Sequence, residues 1–192
     1  MPIVNVKGFE NCICHHPELV NLYECEIGEG TKIGTFVEIG RGVVIGRQCK
    51  IESHAFIPEG VRIGNFVFIG PGAIFCNVKY PMTGEKYHFT TVRDGAVVGA
   101  GAVILPGLVI GEKAIIGAGA VVTKNVDSGI TVIGNPAMPL IQYCKCKDPT
   151  PCSIIDFKKN YYGPIECDYC GLPIKNYPIK IIRNQCEDYE AS

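Results

Sequence analysis

The feature that most constrains the fold is a branched aliphatic residue that recurs at every sixth position. The recurrence runs unbroken over residues 27–69 and again over residues 92–122, with a small or slender residue four positions after each aliphatic one. A period of six fits neither an α-helix nor a single alternating strand, but it fits a short strand plus a turn, repeated. Each unit can bury its apolar side chain only against its neighbours, so the sequence predicts a β-solenoid.

The repeat resembles that of the hexapeptide-repeat acetyltransferases over about residues 20–140. The resemblance implies an all-β, left-handed parallel β-helix with three hexads in each coil, so that residues eighteen apart stack at the strand spacing of about 4.8 Å. It also implies a homotrimer, because the acetyl-CoA groove of this family is completed by a neighbouring subunit.

Interruptions of the period divide the chain into segments. Residues 1–20 lack the period and are predicted to form an N-terminal cap, followed by a β-helical catalytic domain over residues 21–140. Val92 arrives eleven residues later than the period requires, which predicts a long external loop over residues 76–91. Residues 141–192 differ in composition and are predicted to form a cysteine-rich tail.

The start of the loop carries a narrower resemblance. The segment Phe75-Cys76-Asn77-Val78-Lys79-Tyr80-Pro81 is similar to the Phe-Thr-Asn-Asp/Val-x-x-Pro segment of bacterial enzymes that acetylate the 3-amino group of nucleotide-linked sugars. Cys76 replaces the usual threonine, and Met82 stands where an arginine often follows. The resemblance implies an acetyl-CoA-dependent N-acetyltransferase acting on a UDP- or dTDP-linked amino sugar, with Asn77 at the sugar amine.

The coil geometry places candidate substrate and catalytic residues together. Arg41, Glu59 and Asn77 lie eighteen apart, so they are predicted to form one outward column beneath the loop. His54 projects from the preceding corner and ranks first as the base that deprotonates the amine, followed by Glu59 and then His88. Arg41 and the loop residues Tyr80 and His88 are candidate substrate contacts. A solvated polar ladder is the alternative reading of the column.

The acetyl-CoA site is expected along the groove between subunits, near the later coils, as in the family. Two stacked sets of small residues offer exposed backbone to the pantetheine arm: Gly99, Gly117 and Asn135, and Ala100, Ala118 and Pro136. These residues equally suit tight turns without any ligand. The resemblance implies direct acyl transfer, in which Cys76 is not needed as a nucleophile.

The tail contains two short cysteine pairs. Cys144-x-Cys146 and Cys167-x-x-Cys170 have the spacing of two knuckles around one tetrahedral, structural Zn²⁺. Free thiols are the alternative, and Cys152 is a possible replacement ligand while Cys186 is predicted to be spare. A second, weaker metal candidate is the N-terminal Cys12-x-Cys14-His15-His16, which cap residues also explain.

Composition bears on whether the protein binds nucleic acid or membranes and on its cellular compartment. Lys and Arg number 18 against 19 Asp and Glu, so no nucleic-acid partner is predicted. No apolar run approaches the roughly 20 residues that span a bilayer, and no signal peptide is recognisable, so a cytoplasmic protein without membrane association is expected. The alternatives are another acetyltransferase with an O- or N-acceptor, a γ-type carbonic anhydrase, and a non-catalytic scaffold.

Overall fold

The computed structural model describes residues 3–84 and 87–140 of the 192-residue chain. Short parallel strands of two or three residues alternate with turns and form three sheets, which we call faces A, B and C. The predicted left-handed parallel β-helix of hexapeptide repeats is confirmed. The helices of the described residues are two single 3₁₀ turns, Phe9–Asn11 and Pro17–Leu19, and none is long and apolar enough to cross a membrane.

Each coil contributes one strand to each face, and the turns between them form corners A–B, B–C and C–A. Face A contains Ile3–Val4, Asn21–Tyr23, Glu38–Ile39, Phe56–Ile57, Ile74–Phe75, Val103–Ile104 and Val121–Val122. Face B contains Glu26–Ile27, Val44–Ile45, Val61–Ile63, Thr90–Val92 and Val109–Ile110. Face C contains Ile13–Cys14, Lys32–Ile33, Lys50–Ile51, Phe68–Ile69, Val97–Val98, Ile115–Ile116, Thr131–Ile133 and Met138–Pro139.

The register follows the predicted offset of eighteen residues in the regular coils. Ile39 pairs with Ile57, and Ile104 pairs with Val122. Across the external loop the offset grows by eleven residues, as Ile63 pairs with Val92. The insertion therefore leaves the stacking of the prism intact.

The core is the inner column of every hexad. The aliphatic residues of the period are at most 5% exposed, and nearly all of the small residues four positions later are equally buried. Thr31 and Thr90 are buried polar residues, and both are satisfied: the Thr31 hydroxyl donates to the Gly46 carbonyl at 2.8 Å, and the Thr90 hydroxyl accepts from the Gly107 amide at 3.0 Å. Such partners are required because an unpaired buried hydroxyl is costly.

The N-terminal segment extends the β-helix although it lacks the hexad period. Its strand Ile3–Val4 joins face A, Lys7 forms a bridge with Glu26 on face B, and Ile13–Cys14 joins face C. The segment predicted as a cap therefore supplies one further, irregular coil, which covers the apolar end of the prism.

The last coil departs from the predicted register. Ile110 bridges to Val126 and Ile116 pairs with Val132, an offset of sixteen rather than eighteen. The turn after Val122 is shorter by two residues, so the prediction that Asn135 and Pro136 stack above Gly117 and Ala118 is wrong. Instead, both lie in the turn between the antiparallel strands Thr131–Ile133 and Met138–Pro139, joined by a cis peptide bond.

Candidate active site

Corner A–B carries the predicted column. Because Ile39 pairs with Ile57 and Phe56 pairs with Ile74, the outward turn residues Arg41, Glu59 and Asn77 follow one another up this corner. Glu59 and Asn77 are half-buried, whereas Arg41 is exposed. The fold therefore contains the predicted column, and Asn77 at its upper end lies at the base of the external loop.

Arg41 has a partner that the period did not reveal. Its Nε lies 2.7 Å from Glu24 Oε2, and its Nη2 donates to Glu24 Oε1 at 3.1 Å. This two-point contact raises the pKa of the Arg41 guanidinium, and the more distant Glu59 adds to the effect. Glu24 follows Tyr23, which lies eighteen residues before Arg41, so the stacking offset was the available signal. Arg41 therefore pairs mainly with Glu24 rather than with Glu59.

The external loop leaves and rejoins the prism at the same corner. The Asn77 carbonyl accepts from the His88 amide at 2.9 Å, and the Gly60 carbonyl accepts from the Thr90 amide at 2.8 Å. The buried Thr90 hydroxyl then accepts from the Gly107 amide. These three bonds tie the returning strand to the coils on either side, so the loop base is fixed to the prism.

Two glycines allow the returning chain to lie close to the corner. Gly60 has a φ of +92°, and a side chain there would meet the His88 carbonyl at 3.3 Å. A side chain on Gly107 would lie 3.3 Å from His88 Cβ. His88 therefore rests over Gly107 beside Asn77, and corner A–B gathers Glu59, Asn77 and His88.

The outer part of the loop presents large side chains to solvent. Tyr80 is 58% exposed, with the Lys79 ammonium 5.4 Å from its ring centre, and Met82, Tyr87 and Phe89 are also exposed. The Thr83 hydroxyl donates to the Tyr80 carbonyl at 2.7 Å, which closes a tight turn. Tyr80, a predicted substrate contact, thus lies on the outer arm of the loop rather than at its base.

His54 lies at a different corner. It occupies corner C–A, where its ring stacks on Phe36 with centroids 4.9 Å apart and an interplanar angle of 29°. Both residues have positive φ values, +63° and +59°, where glycine is usual. The strand Phe56–Ile57 separates His54 from Glu59, so within one chain the structure does not bring His54 to Asn77.

Corner C–A becomes a smooth ridge in the later coils. Val98 pairs with Ile116, so Gly99 lies beside Gly117 and Ala100 beside Ala118, as predicted. A side chain on Gly99 would lie 2.5 Å from the Ala118 nitrogen, which explains why glycine is required there. Ala100 and Ala118 are exposed. The ridge therefore offers backbone and methyl groups to any ligand that lies along it.

The cysteines of the described residues are poorly suited to act as nucleophiles or metal ligands. Burial raises the pKa of the Cys76 thiol, which keeps it protonated near neutral pH. Cys12 donates to the Gly8 carbonyl at 3.4 Å, and burial is the main cause that raises its pKa to about 11. Within residues 3–84 and 87–140, no group of three or more His, Cys, Asp or Glu side chains could hold a metal ion. The predicted zinc ligands Cys144, Cys146, Cys167 and Cys170 lie outside the described residues.

The sequence of the repeats matches a known family model. The model described as bacterial transferase hexapeptide (six repeats) matches residues 24–59 and 89–124. The two matched stretches flank the external loop, which the model does not cover. Both stretches thus carry hexapeptide repeats similar to those that the model describes.

Curated relatives include serine acetyltransferases. The protein of Buchnera aphidicola subsp. Acyrthosiphon pisum is 38% identical over 107 residues, which cover 54% of this chain and 33% of that protein. The protein of Bacillus subtilis is 34% identical over 122 residues, covering 61% and 48%. The chain thus spans between a third and a half of the length of these relatives.

Solved structures share the fold. WeeI from Acinetobacter baumannii is 32% identical, with a TM-score of 0.53 over 68% of this chain and 55% of that one. PerB from Caulobacter crescentus, solved with CoA and GDP-perosamine, is 24% identical with a TM-score of 0.52, covering 71% and 56%. A variant of AntD, an N-acyltransferase from Bacillus cereus solved with dTDP-4-amino-4,6-dideoxyglucose and CoA, is 21% identical with a TM-score of 0.60, covering 71% and 85%.

Proposed function

We propose that the chain is an acetyl-CoA-dependent N-acetyltransferase that acetylates an amino group, the 3-amino group in particular, of a UDP- or dTDP-linked amino sugar. The observation that carries the proposal is corner A–B, where Glu59 and Asn77 occupy successive turns and the His88 amide donates to the Asn77 carbonyl at the base of the external loop. The ligands of PerB and AntD, which share this fold, are GDP-perosamine and dTDP-4-amino-4,6-dideoxyglucose, and they support a nucleotide-linked amino sugar as the class of substrate. The choice of the 3-amino group rests on the resemblance of the segment that begins at Phe75.

The proposed chemistry is attack of a neutral amine on the thioester carbonyl. The Asn77 side-chain carbonyl accepts a hydrogen bond from the amine and aims its lone pair. A base must take one proton from the amine, and Glu59 lies one coil below Asn77, at a rise of about 4.8 Å. His88 is the second candidate base at the same corner. The tetrahedral oxyanion is stabilised by backbone amides of the turns, and the CoA thiolate leaves.

Acetyl-CoA is proposed to lie along the ridge at corner C–A, against Ala100 and Ala118. This corner is separate from Asn77 within one chain, so the two substrates meet where a corner of one subunit faces the next in a homotrimer. Outward apolar columns flank the ridge and suit such a contact. They are Phe56, Ile74, Val103 and Val121 on face A, and Phe68, Val97 and Ile115 on face C. His54 also lies at corner C–A, so in the proposed homotrimer it remains a candidate base from the neighbouring subunit.

A second candidate function is acetylation of an amino-acid hydroxyl. The curated serine acetyltransferases favour it, because their identities of 34% to 38% exceed those of the amino-sugar enzymes. The acceptor would then be L-serine rather than a sugar amine.

An acceptor panel separates the two functions. Purified protein is incubated with acetyl-CoA and, in turn, UDP- and dTDP-linked 3-amino and 4-amino sugars and L-serine, and release of the CoA thiol is followed. Turnover with an amino sugar and none with L-serine is expected. Turnover with L-serine alone would replace the proposal by the second candidate.

A further inference from the structure

A groove on face B lies outside the corners discussed so far. It has a volume of about 450 Å³ and runs from face B onto corner B–C. Its lining includes Val44, Arg62, Thr91, Arg93, Asp94 and Glu112. Four of these six side chains are charged. What the groove can bind therefore depends on which of them already have partners within the protein.

The two carboxylates of the groove already have partners. Asp94 Oδ1 accepts from the Asn65 amide at 2.9 Å and Oδ2 accepts from Asn65 Nδ2 at 3.1 Å. These bonds hold the pKa of Asp94 below its usual range. Glu112 Oε1 lies 2.8 Å from the Lys113 ammonium. Both carboxylates keep their negative charge, but within residues 3–84 and 87–140 neither forms an ion pair with Arg62 or Arg93.

The two arginines are differently placed. Among residues 3–84 and 87–140, neither Arg62 nor Arg93 makes an ion pair, and both are exposed. Arg62 pairs in register with Thr91, so the Thr91 side chain lies beside it on the outer surface of face B. Two free guanidiniums and a hydroxyl in one groove are donors suited to a phosphoryl group, which arginine can bind at two points.

The groove begins one strand away from corner A–B. Arg62 follows Glu59 by three residues, across the turn at Gly60, so the first residue of the groove lies close along the chain to corner A–B. Thr91 likewise follows His88 by three residues. In a nucleotide-linked sugar the diphosphate is attached at the anomeric carbon, across the ring from a 3- or 4-amino group. A sugar whose amine lies at Asn77 would therefore extend its diphosphate along face B towards the arginines.

We infer that Arg62, Thr91 and Arg93 bind the diphosphate of the nucleotide-linked sugar whose amine is placed at Asn77. This assignment rests on the proposed function for its choice of ligand. The phosphates of CoA have the same chemistry and are the other source of such a group. Arg62 and Thr91 lie in the face B strands that directly follow corner A–B, whereas the ridge lies at corner C–A, and this order along the coil favours the sugar nucleotide.

Calorimetric titration tests the assignment without requiring turnover. UDP, dTDP and CoA are titrated separately into the wild type, the Arg62→Gln/Arg93→Gln double variant and an Arg47→Gln control. Arg47 is an exposed arginine on corner B–C that lies over the Phe66 ring at 5.7 Å, outside the groove lining. Both substitutions are on the surface, so unchanged melting temperatures are expected for the variants.

The double variant is expected to bind the better of UDP and dTDP about 10- to 100-fold more weakly, since charged hydrogen bonds are lost. CoA affinity and the Arg47→Gln control are expected to stay within about twofold, and Arg62→Lys/Arg93→Lys should recover part of the loss. Unchanged affinity for both nucleotides, or a loss confined to CoA, would overturn the assignment. The protein could also bind a nucleotide through the arginines and yet acetylate no amino sugar. That result would support the groove as a diphosphate site and refute the proposed function.

Discussion

Corners A–B and C–A are made by the same six-residue unit but present opposite surfaces. Corner A–B carries long polar side chains and the external loop, whereas the later coils of corner C–A carry only glycine and alanine. The inner residues are the same kind at both corners, because the prism must be filled everywhere. The difference shows that the period determines the buried scaffold, whereas the outward turn positions can vary in size and polarity without changing it.

The largest effect is expected at the polar corner. Asn77→Ala should lower kcat/KM for the amino sugar by about 100-fold, since one contact formed in the transition state is lost. Steady-state kinetics measures the loss, and an unchanged melting temperature shows that the fold is retained. Lys124→Ala, two coils higher on the same corner, is the matched control and should be fully active. Equal activity of Asn77→Ala and wild type with every amino sugar would remove Asn77 from the site.

A smaller and different effect is expected at the smooth corner. Ala100→Phe should raise KM for acetyl-CoA about tenfold, a loss of roughly 1.4 kcal/mol, because the ring occupies space above the exposed methyl group. The KM of the amino sugar should not change. Ala100→Ser, which adds only one oxygen, is the control. If Ala100→Phe changed only the amino-sugar KM, corner C–A would have to be assigned to the amino sugar and corner A–B to acetyl-CoA.

Cys76 lies next to Asn77, but its substitution should have little effect on catalytic activity. Cys76→Ser is expected to keep activity within about twofold of wild type, because direct transfer uses no covalent intermediate. Burial raises the pKa of this thiol, so its thiolate fraction is low at neutral pH and increases only as pH rises towards that raised value. Alkylation of Cys76, followed by mass spectrometry of its peptide, should therefore be slow at pH 7 and accelerate with pH. Rapid alkylation at pH 7 with loss of activity would reopen a covalent mechanism.

The tail is expected to leave both corners unaffected. Four thiolates complete a tetrahedral zinc site and leave no open position for substrate, so the metal predicted for Cys144, Cys146, Cys167 and Cys170 is structural. Elemental analysis should find one zinc ion per chain, and Cys167→Ser should lose it while acetyl-CoA still binds. Absence of metal in protein purified under reducing conditions would remove the zinc prediction.

The fold was predictable because its signal is repeated in every hexad. The aliphatic period identified the core, and the delay before Val92 identified the loop. The shortened last coil was not predictable by extrapolation, because one turn that loses two residues shifts Asn135 and Pro136 out of the stack. Side-chain partners were also missed. Phe36 stacks on His54 at the offset of eighteen residues, and Glu24 pairs with Arg41 from the position next to Tyr23, which lies at that offset.

In the proposed homotrimer, the two corners act together only across a subunit interface. Co-expression of Asn77→Ala chains and Ala100→Phe chains, carrying different affinity tags, tests it directly after mixed oligomers are isolated through both tags. In some interfaces of a mixed trimer, an intact Asn77 corner meets an intact Ala100 ridge. At acetyl-CoA concentrations well below the wild-type KM, mixed trimers are expected to be several-fold more active than either variant alone, because one interface of each mixed trimer has both features intact. Activity equal to the average of the two variants, or a stable monomer in light scattering, would contradict it.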